Sequence, residues 1–94
     1  MPLETMPFDA ARYIDTPEAQ AAFLNDALEE GDAAAISQAL GIVAKARGMT
    51  EVARAAGLGR ESLYKSLSET GNPEFATVLR VLRALGLKLT ATPA

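Results

Sequence analysis

The chain has 94 residues, a formal net charge of −3, and neither cysteine nor histidine. A chain of this length folds as one domain with a modest core. Without cysteine or histidine, disulfides, thiol chemistry, imidazole-assisted nucleophiles and ordinary zinc sites are excluded, so the composition indicates a protein that is not an enzyme and uses no metal or cofactor.

The N-terminal segment carries no export signal, because no basic region precedes an apolar stretch and no apolar run is long enough for a membrane span. We therefore expect a cytoplasmic protein with no membrane partner. Residues 8–14 predict a short helix with Asp9 as its N-cap and Phe8 and Tyr13 at the hydrophobic-staple positions. Together with Ile14 they form an apolar cluster outside the main bundle. Its functional interpretation is a docking surface for a protein partner, and the alternative is a patch folded onto the next helix.

Two amphipathic helices are predicted next. The first begins with Thr16 as N-cap and ends at Gly31, and the second is capped by Asp32 and ends at Gly48. Lysine and arginine in the last turn of the second helix complement its dipole. Both helices have an apolar stripe at helical spacing, formed by Phe23, Leu24, Ala27 and Leu28 in the first and by Ile36, Leu40 and Val43 in the second.

Residues 49–72 have the pattern of a helix-turn-helix. Gly57 ends the first helix, because this position requires the left-handed conformation that glycine adopts at low cost. Leu58 fills the turn, and Ala53 is small because the second helix passes close over it. Apolar anchors hold both helices to the core, namely Val52, Ala53 and Ala56 in the first and Leu63 and Leu67 in the second.

The chain ends with a predicted helix and a predicted strand. Asn72, Pro73 and Glu74 repeat the start signal of a cap, a proline and an acid, and Gly86 closes the helix. The apolar stripe of this helix is Phe75, Val78, Leu79, Leu82 and Leu85. Residues 87–92 alternate strictly and predict a short strand. This strand has no mate in the chain, so we expect it to pair across a dimer or with the sheet edge of a partner.

These elements predict an all-α fold with five main helices and a short C-terminal strand. A helix-turn-helix framed by helices on both sides is the layout of a lambda-repressor-like DNA-binding domain. We assign this domain to residues 16–94 and treat residues 1–15 as an N-terminal extension with a short helix.

The outward face of the second helix of the motif carries side chains that suit base edges and phosphates, namely Arg60, Glu61, Ser62, Tyr64 and Lys65. Arg60 is placed for guanine or phosphate, Glu61 for a cytosine amino group, and Tyr64 for phosphate or a thymine methyl group. The alternatives are solvated charges for Arg60 and Lys65, a favourable helix-start position for Glu61, and partial burial for Tyr64.

Two polar residues at predicted helix starts are further candidates for DNA contact. Thr50 caps the first helix of the motif and Asn72 caps the last helix. Backbone N–H groups at such positions can meet phosphate. The alternative for both residues is simple capping, which is compatible with contact.

The charge is divided unevenly along the chain. Residues 1–42 contain eight acidic side chains and one basic side chain, which gives −7, whereas residues 43–94 contain eight basic and four acidic side chains, which gives +4. A basic half that contains a helix-turn-helix suits DNA, and an acidic half suits a basic protein. The alternative for the acidic half is that its carboxylates only solvate a helical face.

Residues 32–89 closely resemble a family of addiction-module antidote proteins, the antitoxins of HigA type, and Phe8-Asp9-Ala10-Ala11-Arg12-Tyr13 looks like the opening segment of that family. The matching motifs are Leu40-Gly41, Ala46-Arg47-Gly48-Met49-Thr50, Arg60-Glu61-Ser62-Leu63-Tyr64-Lys65, Leu67-Ser68, Gly71-Asn72-Pro73, Phe75, Thr77 and Ala84-Leu85-Gly86-Leu87. The resemblance implies a Cro/C1-type (XRE) antitoxin that neutralises a small basic toxin of the RelE/ParE superfamily and represses its own operon. The resemblance implies a DNA-binding role only for the outward residues named above on the second helix of the motif, which is the recognition helix. It assigns no toxin-contacting residue.

The sequence thus predicts a dimer that binds double-stranded operator DNA, with two recognition helices about one DNA turn apart. Phe8 and Tyr13 are our candidates for toxin contact. The alternative function is a stand-alone, phage-like Cro/C1-type transcriptional regulator without a toxin partner. A third possibility is an interaction module whose helix-turn-helix no longer binds DNA. A neighbouring gene for a basic RelE-like protein distinguishes the first two.

Overall fold

The computed structural model describes residues 14–68 and 70–94, and these residues form five helices and no strand. The helices are α1 (Pro17–Glu30), α2 (Ala33–Arg47), α3 (Met49–Ala56), α4 (Arg60–Ser66) and α5 (Phe75–Ala84). The predicted all-helical fold is confirmed for this part of the chain. The short helix predicted at 8–14 lies outside the described residues, apart from Ile14.

The predicted boundaries of the first helices are confirmed at atomic detail. The Thr16 hydroxyl accepts a hydrogen bond from the Ala19 N–H at 3.1 Å, and the Asp32 carboxylate accepts one from the Ala35 N–H at 3.0 Å. Each cap satisfies an N–H group that has no partner within its own helix. Gly57 ends α3 with φ 71°, as its predicted left-handed conformation requires.

The two predicted caps at Thr50 and Asn72 are wrong. Gly48 both ends α2 and precedes α3, so α3 begins at Met49 and Thr50 lies inside its first turn, exposed to solvent. Helix α5 begins only at Phe75, because Glu74 is still extended with ψ 151°. Gly48 has no side chain that could cap α3, and the Glu74 side chain makes no capping hydrogen bond to α5.

The C-terminal segment does not form the predicted strand in this chain. Residues 87–92 have no regular secondary structure. A strand needs a neighbouring strand for its backbone hydrogen bonds, and the described part of the chain offers none. Leu87 nevertheless packs against the core, and its N–H donates to the Leu82 carbonyl at 2.9 Å, which closes the end of α5.

All five helices contribute buried side chains to one core. Its most deeply buried large side chains are Leu40, Leu63, Leu85, Val43, Val52 and Val81. The stripe predicted for α5 is partly wrong, because Val81 is fully buried while Phe75 is 67% exposed and Leu79 is exposed as well. Ile14 is 5% exposed and belongs to the core, so it does not lie outside the bundle as the sequence suggested.

A buried polar network fastens the two ends of the domain together. The Gln20 side chain, only 2% exposed, donates from Nε2 to the Ile14 carbonyl at 3.1 Å. Arg47 Nη2 donates to Gln20 Oε1 at 2.8 Å and to the Leu85 carbonyl at 2.7 Å. The network joins the segment before α1 to the C-terminal ends of α2 and α5. Because each polar atom of the Gln20 amide has a partner, its burial carries no unsatisfied group.

Candidate nucleic-acid interface

Helices α3 and α4 form a compact unit joined by residues 57–59. The Leu58 N–H donates to the Ala53 carbonyl at 2.8 Å, which closes α3, and Leu58 packs on the core as predicted. The five apolar residues predicted to anchor this unit are all buried. Leu63 is 1% exposed and fixes α4 to the core, so that the opposite face of α4 points to solvent.

The exposed face of α4 brings together the polar residues singled out in the sequence. All five of them, Arg60, Glu61, Ser62, Tyr64 and Lys65, are exposed. Tyr64 keeps 38% of its surface exposed and lines a cleft with residues of α2, so its ring is partly buried against that helix and partly open to solvent. The other two candidates lie elsewhere: Thr50 is on α3, and Asn72 lines an apolar groove beside α5.

Tyr64 is flanked by two cationic groups. Arg60 Cζ lies 5.2 Å from the centroid of its ring, and Lys45 Nζ lies 5.8 Å from the same centroid. Both distances are in the range of a cation–π interaction. Arg60 is on α4, whereas Lys45 is on the last turn of α2. Sequence reasoning interpreted Lys45 only as a partner of the α2 dipole, since nothing local in the sequence links it to a tyrosine on another helix.

Close backbone contact fixes α2 against the end of α4. A Cβ atom at Gly41 would lie 2.7 Å from the Leu67 carbonyl oxygen, so only glycine allows this approach. Beside it, Gln38, Lys45, Tyr64 and Ser68 line a small cleft between the two helices. The position of Lys45 relative to α4 is therefore set by rigid backbone packing.

Two further contacts hold the segments around α4. A Cβ atom at Gly71 would collide with the carbonyl oxygens of Lys65 and Ser66, so the chain after α4 turns back tightly against the end of that helix. Arg80 Nη2, on α5, donates to the Gly57 carbonyl at 3.3 Å. The first contact holds the following segment against the end of α4, and the second ties the end of α3, just before α4, to α5.

Neither a metal-ligating cluster nor a membrane-spanning helix is found among the described residues. Residues 14–68 and 70–94 contain no group of three or more acidic, histidine or cysteine side chains that could hold a metal ion. In the same part of the chain, no helix combines the length and the apolar character that crossing a bilayer would demand.

Comparison with known proteins assigns the family. A family described as "Probable addiction module antidote protein" matches residues 4–93. The chain belongs to this family. A protein of Haemophilus influenzae (strain ATCC 51907 / DSM 11121 / KW20 / Rd), described as an uncharacterized protein, is 48% identical over 81 residues, which cover 86% of this chain and 84% of that protein. No solved structure matches the chain.

Family membership confirms the antidote part of the resemblance seen in the sequence, and an antidote family implies a toxin partner of some kind.

The chain has a second surface that differs in charge from α4. The acidic side chains of residues 14–42 are all exposed, namely Asp15, Glu18, Asp26, Glu29, Glu30 and Asp32. Asp26 and Glu30 border a groove between α1 and α2 whose apolar part includes Phe23 and Ile42. Phe8 and Tyr13, the predicted toxin contacts, lie outside the described residues.

A third surface of the chain is apolar. Leu24, Ile36 and Val78 line a groove between the α1–α2 pair and α5, with the exposed side chains of Leu28, Phe75 and Leu89 around it. None of the described residues that line this groove carries a charge. Exposed apolar patches of this kind mark contact surfaces in soluble proteins.

Proposed function

We propose that the protein is a DNA-binding antitoxin of HigA type, which neutralises a small basic RelE/ParE-like toxin and represses its own operon. The observation that carries the DNA-binding part is the α3–α4 unit, in which Leu63 is buried and five polar residues of α4 face outward. Two short helices joined by a tight turn suit a Cro/C1-type helix-turn-helix in a lambda-repressor-like domain. Such a protein acts in the cytoplasm, where its operator is.

In this proposal α4 enters the major groove and reads base edges. Arg60, at the first position of α4, contacts guanine or phosphate, and Glu61 and Ser62 follow on the same turn. Thr50 remains a candidate for phosphate contact, because it lies in the first turn of α3, where backbone N–H groups have no partner within the helix. Asn72 lies before the start of α5, so it offers only its exposed side chain, at the edge of the apolar groove, for such a contact.

A second copy of the chain is the occupant we propose for the apolar groove. One α4 helix contacts too few base pairs to select an operator, so DNA reading of this kind requires two copies. A two-fold dimer places the same patch of both copies in contact, and an uncharged patch can face itself without repulsion. Leu89 lines the groove, so the segment predicted to pair as a strand would lie at this interface.

The acidic surface of α1 is the dock we propose for the toxin. Phe23 and Ile42 supply apolar area, and Asp26 and Glu30 attract a basic partner. Phe8 and Tyr13 would extend this surface. Addition of residues 87–92 to the toxin's sheet edge is the competing mode. Removal of residues 1–13 tests the N-terminal contribution. The deletion must stop there because Ile14 is a core residue.

A gel-shift titration tests the DNA-binding function. The full-length protein is titrated into a duplex from the region upstream of its own operon and, separately, into an equally long duplex from inside the gene. We expect tighter binding to the upstream duplex and, in a nuclease footprint of that duplex, protection of two half-sites about one DNA turn apart. Equal affinity for both duplexes would refute operator recognition, and no shift at low salt would refute DNA binding.

Co-expression with the product of the adjacent gene tests the antitoxin function. We expect growth arrest by that product alone, rescue by this chain, and a complex that survives size-exclusion chromatography. If no adjacent gene encodes a toxic protein and the upstream duplex is still bound, the stand-alone regulator is the correct function.

A further inference from the structure

Helix α2 contributes a cation to the exposed face of α4. Lys45 Nζ, on α2, and Arg60 Cζ, on α4, lie 5.8 Å and 5.2 Å from the centroid of the same Tyr64 ring. All three side chains are exposed. Two positive groups of different helices therefore lie around one partly exposed aromatic ring. We call these three side chains the Tyr64 cluster.

The aromatic ring stabilises an arrangement that like charges alone would disfavour. The face of the ring has a negative potential that attracts each cation. A lysine normally samples many rotamers, and attraction to a fixed ring narrows that range. The ring itself is held in place, because Leu63 anchors α4 and Gly41 packs against Leu67. Positive charge is thus concentrated at one position of the surface before any ligand arrives.

The chemistry of the cluster favours an anionic oxygen ligand over a base edge for Lys45. An ammonium group is a compact point charge without the planar fork that pairs with a base, and it suits a phosphate oxygen. Lys45 also lies outside α4, on the neighbouring helix, so it is placed for the backbone that flanks a groove occupied by α4. The adjoining cleft offers Gln38 and Ser68 as further polar neighbours.

We infer that Lys45 is a phosphate contact of the DNA interface, positioned by Tyr64, and that the interface extends from α4 onto α2. This inference rests on the proposed DNA-binding function. Lys45 adds affinity that is independent of sequence, whereas Arg60 adds preference for particular bases.

Salt-dependent DNA binding of Lys45→Gln tests the inference. Fluorescence anisotropy is measured from 50 to 200 mM salt with the upstream operator duplex and with a random-sequence duplex. Loss of one phosphate contact should weaken binding to both duplexes by the same factor, roughly three- to tenfold, and reduce the slope of log K against log salt by about 0.9. Tyr64→Phe should retain the slope, and Tyr64→Leu should lose part of it.

Arg83→Gln is the matched control, because it removes one positive charge from an exposed position on α5 that belongs to none of the proposed contact surfaces. Thermal melting of each variant checks the fold. Wild-type affinity and slope for Lys45→Gln overturn the inference and leave the proposed function intact. Weaker binding to the operator alone, at unchanged slope, also overturns it in favour of a base contact. If the wild-type protein binds neither duplex at 50 mM salt, the proposed function fails together with the inference.

Discussion

The two ends of α2 face surfaces of opposite charge. Near its start, the groove shared with α1 is bordered by Asp26 and Glu30, and at its end Lys45 approaches Tyr64 of α4. Gln38, near the middle of α2, lines both the α1–α2 groove and the cleft between α2 and α4. One rigid helix therefore spans from the acidic surface to the cationic cluster, so that two partners of opposite charge can be held on one small domain.

Helix electrostatics explains Lys45 but not every charge of these two surfaces. Lys45 lies in the last turn of α2, where the helix dipole favours a cation, so its charge stabilises the fold whatever it binds. Glu30 is the last residue of α1, where the dipole disfavours an acid. Arg60 is unfavourable in the same way. It is the first residue of α4, where the dipole disfavours a cation. A residue that is locally unfavourable yet exposed is better explained by contact with a ligand than by stability.

The largest expected effect follows from breaking the support beneath α4. Leu63→Ala removes a side chain that is 1% exposed and leaves a cavity under the helix. We expect the free energy of unfolding to fall by about 2–5 kcal/mol in urea titration. DNA binding should fall with it. Leu79→Ala, on the exposed side of α5, is the control and should cost far less. Equal losses for both variants would show that Leu63 does not hold α4.

Arg60→Ala tests the DNA-binding role of α4 without disturbing the fold. We expect operator binding to weaken by roughly 1–3 kcal/mol, with relaxed preference at one base pair, because a contact with guanine is lost. The melting temperature should stay the same or rise slightly, because a cation leaves the start of α4. Arg83→Ala is the matched control, because it removes the same side chain from an exposed position on α5. Wild-type affinity of Arg60→Ala in a gel-shift titration at fixed salt would exclude Arg60 from the interface.

Local signals predicted most of the fold. Thr16, Asp32 and Gly57 mark helix ends through their own chemistry, and the apolar spacing placed α2, α3 and α4 correctly. The predictions were wrong where one residue both ends one helix and begins the next, or where contacts between helices determine which side chains are buried. Gly48 replaced the predicted cap Thr50 because a single glycine joins α2 to α3, and no pattern distinguishes a cap from the first turn at that point.

The residues of the candidate site also fall into those that the sequence can predict and those that only the fold reveals. The exposed residues of α4 could be predicted because they lie opposite Leu63 on a helix of known period. Lys45 could not, because its proximity to Tyr64 arises from the approach of Gly41 to Leu67, which is a tertiary contact. The Gln20–Arg47 network is also tertiary, since it joins residues far apart in the chain. A sequence pattern predicts which side of a helix is exposed, but contacts between side chains of different helices can be seen only in the folded structure.

The apolar groove between the α1–α2 pair and α5 belongs to neither charged surface, and the role that we propose for it is contact with a second copy of the chain. We expect Phe75→Gln to weaken the proposed dimer about tenfold, since burial of a large apolar side chain is lost while the exposed position tolerates a polar one. Light scattering over a concentration series measures the change. Truncation after Leu87 should weaken it as well, and Leu87 must be kept because it closes α5. A monomer at tens of micromolar for the wild-type protein, unchanged by operator DNA, would contradict the dimer.

The smallest expected effect concerns the rate of toxin binding at the acidic surface. Asp26→Asn with Glu30→Gln removes two charges from the α1–α2 groove and keeps the shape of both side chains. We expect the association rate with the toxin to fall several-fold at low salt and the difference to shrink as salt screens the charges. The dissociation rate should change little, because exposed charges act mainly on encounter.

Glu51→Gln with Glu74→Gln is the control for this pair, because it removes the same net charge from exposed positions outside the acidic surface. If the control slows association as much as the groove variant does, net charge rather than the groove attracts the toxin. If neither pair slows it, the acidic side chains only solvate α1, and the toxin docks elsewhere, with residues 87–92 as the next surface to test. A groove variant that alone loses rate places the toxin beside α1, at the opposite end of α2 from the Tyr64 cluster, and leaves α4 free to hold DNA at the same time.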